Sequence, residues 1–460
     1  MSAKITKIGV TNDKISARGG LALFLRYVEG TGLYAMVSGK LSPLVPQGGK
    51  GLRLQEFVKQ MLAFFIDGTD MSMAGFDQRK TDGGHAAVLE CGTAELASSH
   101  QIKRYLAKLS FLGNAAFNKI LNELFIWRLK IEGPKIIELG IDTMVLDNDG
   151  AAKREGCEPT YKRKKGFQPL HISWGPFLID IIFRKGSAHS NHGTDYTDRV
   201  RSVVGLIRRR YSREVPIVLC ADSGFADQKA YKEFEGLGIH FITTGKLYGE
   251  VKAYVGEIPK EAFDELAKDR AVWEYVEFGN KLKSWGKFRR CVFTRLQRDG
   301  TGQFVMDFAR PDNIIYTNIG NCQEADRRLR AAGGADYFEA GTIVEKSHQR
   351  GADELIHRSI KELATKEGLP FKRMGMNRAY YFMLAIAHFL FETYKRDVTA
   401  KVIPATSYPA TFRRRLIDFA VKITAHARNL TLNVTETVHR RINIAELWKL
   451  CQSPPRMEYA

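Results

Sequence analysis

PIVLCADSGF, residues 216–225, reads as a strand that stops on a carboxylate. Ile217 to Cys220 is continuously apolar, which suits a strand covered on both faces. Asp222 ends it, and Ser223-Gly224 supplies the turn. Before it, Thr194–Arg210 carries Tyr196, Val200, Val203, Val204 and Ile207 at helical spacing; after it come a helix (Ala226–Phe234) and a short strand (Ile239–Thr243). Further upstream, Lys135–Leu146 reads as a strand with Ile137, Leu139 and Ile141 on one face and Asp142 on the other. Strands at Gln168–Trp174 and Phe177–Phe183 follow it, after a basic loop, Tyr161 to Lys165. Three consecutive strands, a helix, then alternating strands and helices is the order of a ribonuclease-H-like α/β mixed sheet.

The flanks differ in texture. Residues 1–133 read as a mostly helical N-terminal region. One helix carries Leu54, Phe57, Val58, Met61, Leu62 and Phe65 and stops at Gly68; a second starts at Ser98 or Ser99 as its cap, with Lys103, Arg104 and Lys108 on its exposed side; a third runs from Ala115 to Lys130. Short helices with a basic face suit a DNA-binding module, and equally a helical cap without a ligand. The sheet then divides into a first part, 134–244, and a second part, 336–400, around a β-rich insertion at 245–335. Within that insertion, Trp273–Phe278, Phe288–Thr294, Phe304–Phe308 and Ile314–Thr317 read as strands. The C-terminal region, 401–460, is basic, with Arg413-Arg414-Arg415 and Arg440-Arg441.

Charge narrows the function. Lys plus Arg outnumber Asp plus Glu by 70 to 51, a formal charge of +19, which predicts attraction to a polyanion, nucleic acid before anionic membrane. The longest apolar run, Tyr380–Phe391, contains His388 and falls short of the ~20 residues that span a bilayer. The opening MSAKITKIGVTNDK has no apolar h-region, so no secretory signal is expected. Six scattered cysteines form no CxxC pair and read as reduced thiols of a cytosolic protein. There is no GxxxxGK[ST] phosphate loop and no HExxH pair.

The candidate chemistry lies in three carboxylates. In RGADELIHRSIKEL, Arg350–Leu363, helical geometry puts Ser347, Arg350, Glu354 and Lys361 in one row, with Ala352, Ile356, Ile360 and Leu363 on the opposite, apolar face. Taken alone, the row is a solvated face with Arg350–Glu354 and Glu354–Arg358 ion pairs. Asp222 alone is a turn former or helix cap, and Asp147 or Asp149 competes with Asp142. Together, Asp142, Asp222 and Glu354 can converge at one edge of the sheet. Phosphodiester chemistry needs such hard oxygen ligands, to hold two divalent ions ~4 Å apart.

At these residues the chain resembles the DDE transposases of bacterial insertion sequences, in the subgroup with a β-strand insertion. IDTMVLDNDGAAKREGCEPTYKRKKGFQPL is similar to that family's first-Asp region and ADSGF to its second-Asp motif. Arg350, Glu354 and Lys361 keep the spacing of the late helix, whereas Ser347 stands where the family has Tyr, and Gly140 where it often has an upstream Asp. The resemblance implies that Asp142, Asp222 and Glu354 bind two Mg²⁺ ions, for which Mn²⁺ can substitute. It implies that Arg350, Lys361 and the shorter-reaching Ser347 contact DNA phosphates. An aromatic side chain stacking on a flipped base, Trp273 or Trp285, is implied too, against a core or hairpin-face role for either tryptophan. The expected activity is cut-and-paste transposition on double-stranded DNA, transposon ends and target, by a homodimer in the bacterial cytoplasm, associated with the nucleoid. The rivals are a ribonuclease-H-like nuclease or resolvase without strand transfer, and a catalytically inactive DNA-binding descendant. His348 and His357, on the same stretch, are expected to be surface groups.

Overall fold

The structure is a computed structural model. It describes residues 4–45, 51–70, 72–188, 195–268, 270–283, 285–305, 311–349, 352–364, 368–427 and 429–458, and the side chains of 352–354 are outside the description. The chain divides into two compact units, one of Leu121–His357 and one of Met1–Ile120 with Arg358–Ala460.

The Leu121–His357 unit is built on one nine-stranded sheet. Its strands, in chain order, are β1 (Ile137–Thr143), β2 (Leu170–Trp174), β3 (Phe177–Ile182), β4 (Ile217–Ala221), β5 (His240–Gly245), β6 (Asp264–Lys268), β7 (Ala271–Asn280), β8 (Arg289–Arg298) and β9 (Asp312–Thr317). Across the sheet they lie in the order β6-β7-β8-β9-β5-β4-β1-β2-β3. β1, β2 and β3 form an antiparallel meander. β4 runs parallel to β1, and β5 parallel to β4. Helix α1 (Asp195–Arg210) joins β3 to β4, and α2 (Gln228–Gly236) joins β4 to β5. This is the ribonuclease-H-like arrangement expected from the order of elements. The strands after β5 continue the same sheet: β9 pairs antiparallel with β5, and β8, β7 and β6 follow outward.

The apolar run of β4 is central for the expected reason. Ile217, Val218, Leu219 and Ala221 are all buried, as is every residue of β5. Val218, Ile242, Val292 and Ile315, one from each of four neighbouring strands, share a cluster with Ile343 and Val344 of α3 (Ala340–Gln349). The expected strand Phe304–Phe308 lies mostly outside the described residues; Phe304 itself bridges Arg298 across the turn at Asp299–Gly302.

The other unit is helical around α5 (Met374–Tyr394), whose residues Ala379 to Tyr394 are all buried. Phe65 meets Tyr380 edge-on, Phe117 stacks on Phe382, and Phe24 meets Tyr394. The helix Leu54–Asp67 ends where expected, on Gly68 in the left-handed region at φ +62°, a conformation that costs glycine no Cβ clash. Ser98 caps the helix Ser99–Leu109, accepting from the Gln101 N–H at 3.2 Å, and the Gln101 side chain returns a bond to the Ser98 N–H. One arginine of the basic tail is structural. Arg413 donates to the Phe65 and Ile66 carbonyls and, within 2.9 Å, to Glu362, at the ends of two helices, where unsatisfied carbonyls favour a cation. Arg414 and Arg415 are exposed. Among the described residues no helix is long and apolar enough to cross a membrane.

Candidate active site

Two of the three expected carboxylates are brought together by register. β1 and β4 are parallel, with Ile141 opposite Ala221, so Asp142 and Asp222 come next on adjacent chains at one level of the sheet. Neighbouring strands are ~4.8 Å apart. Alternation explains the orientation: Ile137, Leu139 and Ile141 are buried on one face, and Asp142, between Ile141 and Thr143, is half-buried on the other. Each carboxylate accepts a nearby backbone N–H. Asp142 accepts the Thr143 N–H at 2.7 Å, and Asp222 accepts the Gly224 N–H at 2.8 Å while its carbonyl takes the Phe225 N–H. Asp222 is therefore a turn former, on the strand end next to Asp142.

The ordinary alternatives to Asp142 are engaged elsewhere. Asp147 and Asp149 lie 3.9 and 3.8 Å from the Lys164 ammonium, and they also accept the backbone N–H groups of Asp149 and Lys165. Glu138, nearer the start of β1, takes hydrogen bonds from Tyr337 and, at 2.6 Å, from Lys346.

Helix α4 (Ala352–Leu363) carries Glu354. Its apolar face is as expected, with Ile356, Ile360 and Leu363 buried. The Glu354 side chain and all of Arg350 fall outside the described residues. What is described is the helix's attachment to the sheet. His357 follows Glu354 by three residues, hence on the same helix face, and its ring lies 5.4 Å from that of His171. His171 is buried on β2 directly opposite Asp142. This pair corrects the reading of His357 as a surface group: it packs α4 against the strand next to the first carboxylate. The clue in the sequence was its offset of three from Glu354, but the partner could be found only from the pairing of β1 with β2. Arg358, the partner in the expected Glu354–Arg358 pair, bonds Glu362 at 2.9 Å, with its guanidinium 3.9 Å from the Tyr408 ring.

The remaining candidates sort by burial. Ser347 is on α3 and is 7% exposed beside the buried Val344, so the exposed row drawn from Ser347 to Lys361 does not hold at its first member. His348, on α3, is half-buried with its ring 4.7 Å from Trp273, and burial holds its pKa below the usual imidazole value. Trp273 is half-buried on β7. Trp285 is 7% exposed, edge-on to Tyr316 at 4.7 Å and near the Arg289 guanidinium, so its faces are occupied by packing. Lys361 lies in the helical unit and is half-buried; Lys103 and Arg104 are exposed there.

A residue missed as a site candidate is Tyr161, in the basic loop after β1. Partial burial and then the negative charges of Asp142 and Asp222 raise its pKa above the usual phenol value. One phenol thus senses both carboxylates. Two like charges side by side at strand ends repel unless a cation lies between them, and carboxylate oxygens are the donors that hard divalent ions take. Among the described residues no group of three or more His, Cys, Asp or Glu is poised as a metal cage, and the third expected ligand, Glu354, is not among those side chains.

No curated protein matches the chain. A solved structure, the cryo-EM piggyBac transposase synaptic complex with hairpin DNA, is similar at a TM-score of 0.42 and 13% identity, over 88% of this chain and 82% of that one. The profile of the transposase DDE domain, group 1, matches residues 3–453, and the chain belongs to that family.

Proposed function

We propose that the protein binds the inverted repeats at transposon ends and carries out divalent-metal-dependent cleavage and strand transfer, as a cut-and-paste transposase. The observation that carries this reading is the parallel register that sets Asp142 beside Asp222, with the α4 helix of Glu354 packed through His357 onto the strand next to Asp142. Asp142, Asp222 and Glu354 would hold two Mg²⁺ ions, or Mn²⁺ in their place. Bound there, such ions activate an oxygen nucleophile and relieve charge on the leaving oxygen. The chain's own residues position the substrate. Arg350 and Lys361 grip phosphates beside the scissile bond, a contact that orients DNA without reading its sequence. Thr143 and Ser223 orient their neighbouring carboxylates. Water, and then the freed 3′-hydroxyl, attacks phosphorus in line.

The regions outside 134–244 and 336–400 would supply DNA contacts, with Lys103 and Arg104 on an exposed helix face and Arg414 and Arg415 in the tail. Trp273 is retained as the aromatic of the 245–335 insertion that would meet a displaced base; Trp285 is set aside because its faces are packed. A homodimer would bring two ends together.

The test uses a pre-cut transposon end and a second duplex. Joining of the two marks a transposase, and cutting without joining marks a nuclease or resolvase. Glu354→Gln should abolish both steps while end binding stays within a few-fold. A comparable loss of binding would mean that Glu354 is structural.

A further inference from the structure

The loop between β1 and β2 is a built element. Its short strand Leu146–Asp147 starts three residues after Thr143, pairs with Lys165–Phe167, and that strand pairs with Glu158–Pro159. Three residues beyond Phe167 the chain enters β2, one residue before His171, the partner of Asp142. Both stems of this ribbon are therefore anchored on the strands that form the site. Its tip is closed by the Thr160 N–H and hydroxyl, both donating to the Lys164 carbonyl at 2.9 Å, and by Arg163 in the left-handed region at φ +58°. A side chain on Gly166 would meet the Leu146 carbonyl at 1.9 Å, so the stem pairs as closely as it does only because that residue is glycine.

The tip reads Tyr161-Lys162-Arg163-Lys164-Lys165, and all five residues are exposed. Lys164 is held by Asp147 and Asp149. Lys162 lies 5.9 Å from the Tyr161 ring, which is itself 60% exposed. An ordinary solvated turn with four cations would need neither an exposed aromatic nor a non-glycine residue at positive φ, an uncommon and somewhat costly conformation. The turn is carried by stems that lead directly from β1, which bears Asp142, and into β2, which bears its partner His171.

We propose that this turn is a phosphate clamp over the active site. In it, the Tyr161 hydroxyl donates to a phosphate oxygen beside the bond being cut, and Lys162 and Arg163 neutralise the next phosphates of the same strand. The inference rests on the reading of Asp142 and Asp222 as the cleavage site, and it assigns that site a substrate-positioning element that none of the three carboxylates supplies.

The experiment uses the full chain and a fluorescein-labelled duplex carrying the inverted repeat that flanks its own gene. Each phosphate neutralised contributes about −0.9 to the slope of log affinity against log salt. The double variant Lys162→Ala/Arg163→Ala should flatten that slope by about two. Tyr161→Phe should leave the slope and the binding midpoint as they are and slow single-turnover cleavage about tenfold, the scale of one hydrogen bond to a charged group. Tyr161→Ala should match Tyr161→Phe. An unchanged slope in the double variant overturns the clamp. So does a Tyr161→Phe protein that cleaves at the wild-type rate while Tyr161→Ala is slow, because that pattern assigns the contact to the ring face. All three changes lie on an exposed turn, and unchanged thermal midpoints would confirm the fold. A wild-type protein inert on this DNA sinks the active-site reading, and the clamp with it; an active wild type whose variants behave identically to it sinks the clamp alone.

Discussion

Asp142 and Asp180 lie on strands of the same sheet, two apart in its order, and meet opposite fates. Asp180, in β3, is fully buried and is met by the Arg199 guanidinium of α1, with one hydrogen bond of 2.8 Å. The helical unit does the same with Asp67, which is 1% exposed and held by Arg18 and Arg79. Asp142 and Asp222 are half-buried, side by side, and each accepts a nearby backbone N–H. A buried carboxylate that the fold needs is given a guanidinium from another element. Two carboxylates set next to each other at strand ends suit a cation from solution. Under the proposed function, Asp142 and Asp222 would meet a divalent ion, where Asp180 and Asp67 meet guanidinium groups.

The largest effect should come from breaking the pair proposed to hold the metal. Asp142→Asn or Asp222→Asn should lower cleavage at least ~10³-fold, since lost metal-assisted charge stabilisation amounts to several kcal/mol at 1.36 kcal/mol per decade. Gel assays of a pre-cut end and an intact end would both report it; residual activity near wild type would end the three-carboxylate account. Next in size is the Asp180–Arg199 pair. Asp180→Ala leaves Arg199 without its carboxylate at a site where Asp180 is fully buried. We expect a loss of ~3 kcal/mol in urea unfolding, at the low end for a broken buried pair because Arg199 is 21% exposed. The variant should keep its response to Mg²⁺.

Added metal sharpens the contrast further. A ligand that binds only the folded state at one hundred times its dissociation constant stabilises by ~2.7 kcal/mol. Mg²⁺ or Mn²⁺ should therefore raise the thermal midpoint of the wild type and of Asp180→Ala, and not that of Asp142→Asn. A shift that persists in Asp142→Asn would place the ion elsewhere.

Acid acts on the buried groups with opposite signs. Burial pushes Asp180 up to about 6, against the opposing pull of Arg199. A carboxyl raised in the fold is favoured as pH falls: below about 6 the folded state binds the extra proton, and the gain is complete below 3.8. His388 of α5, buried beside Glu392 and Lys395, is pushed by burial down to about 3. The unfolded chain protonates this histidine below ~6.5 while the folded chain keeps it neutral, so its contribution is present above that pH and is lost toward about 3. At pH 5 the loss is ~2 kcal/mol for His388 and the gain ~1.4 kcal/mol for Asp180. His388→Gln should therefore be less acid-sensitive than wild type between pH 7 and 5, and Asp180→Asn more so. Urea midpoints at the two pH values check both, and parallel curves for all three proteins would discard the assignment.

The sequence made the sheet legible because its strands carry their own patterns: unbroken apolar residues in β4, strict alternation in β1, and helical spacing in α1. Asp142 and Asp222 were visible as strand-end carboxylates. That they are neighbours depends on the parallel pairing of two strands about eighty residues apart, which no local pattern encodes. His171 and His357 were illegible as a pair for the same reason: each is a lone histidine until β2 is laid against β1. Ser347 was placed on an exposed row, yet it is buried next to Ile343 and Val344, which pack into the sheet's core. Arg413 read as tail charge, yet its guanidinium is spent on helix-end carbonyls from segments far away in sequence.

The smallest effect tests the comparison at its root. If Asp142 and Asp222 repel each other in the metal-free fold, removing one charge should stabilise that fold, the reverse of what Asp180→Ala does. The pair is half-exposed and lies ~4.8 Å apart at the backbone, so screening by water keeps the gain small. We expect ~0.5–1 kcal/mol for Asp142→Asn, the scale of exposed charge pairs, measured in EDTA at low salt. Raising the ionic strength should shrink the gain, because the repulsion it relieves is screened over a Debye length of ~10 Å at 0.1 M. Saturating Mg²⁺ should reverse its sign, since the wild type then gains a ligand that the variant cannot hold. A variant less stable than wild type in EDTA would show that Asp142 is itself a structural aspartate, and the distinction between the two kinds of carboxylate would fail where it matters most.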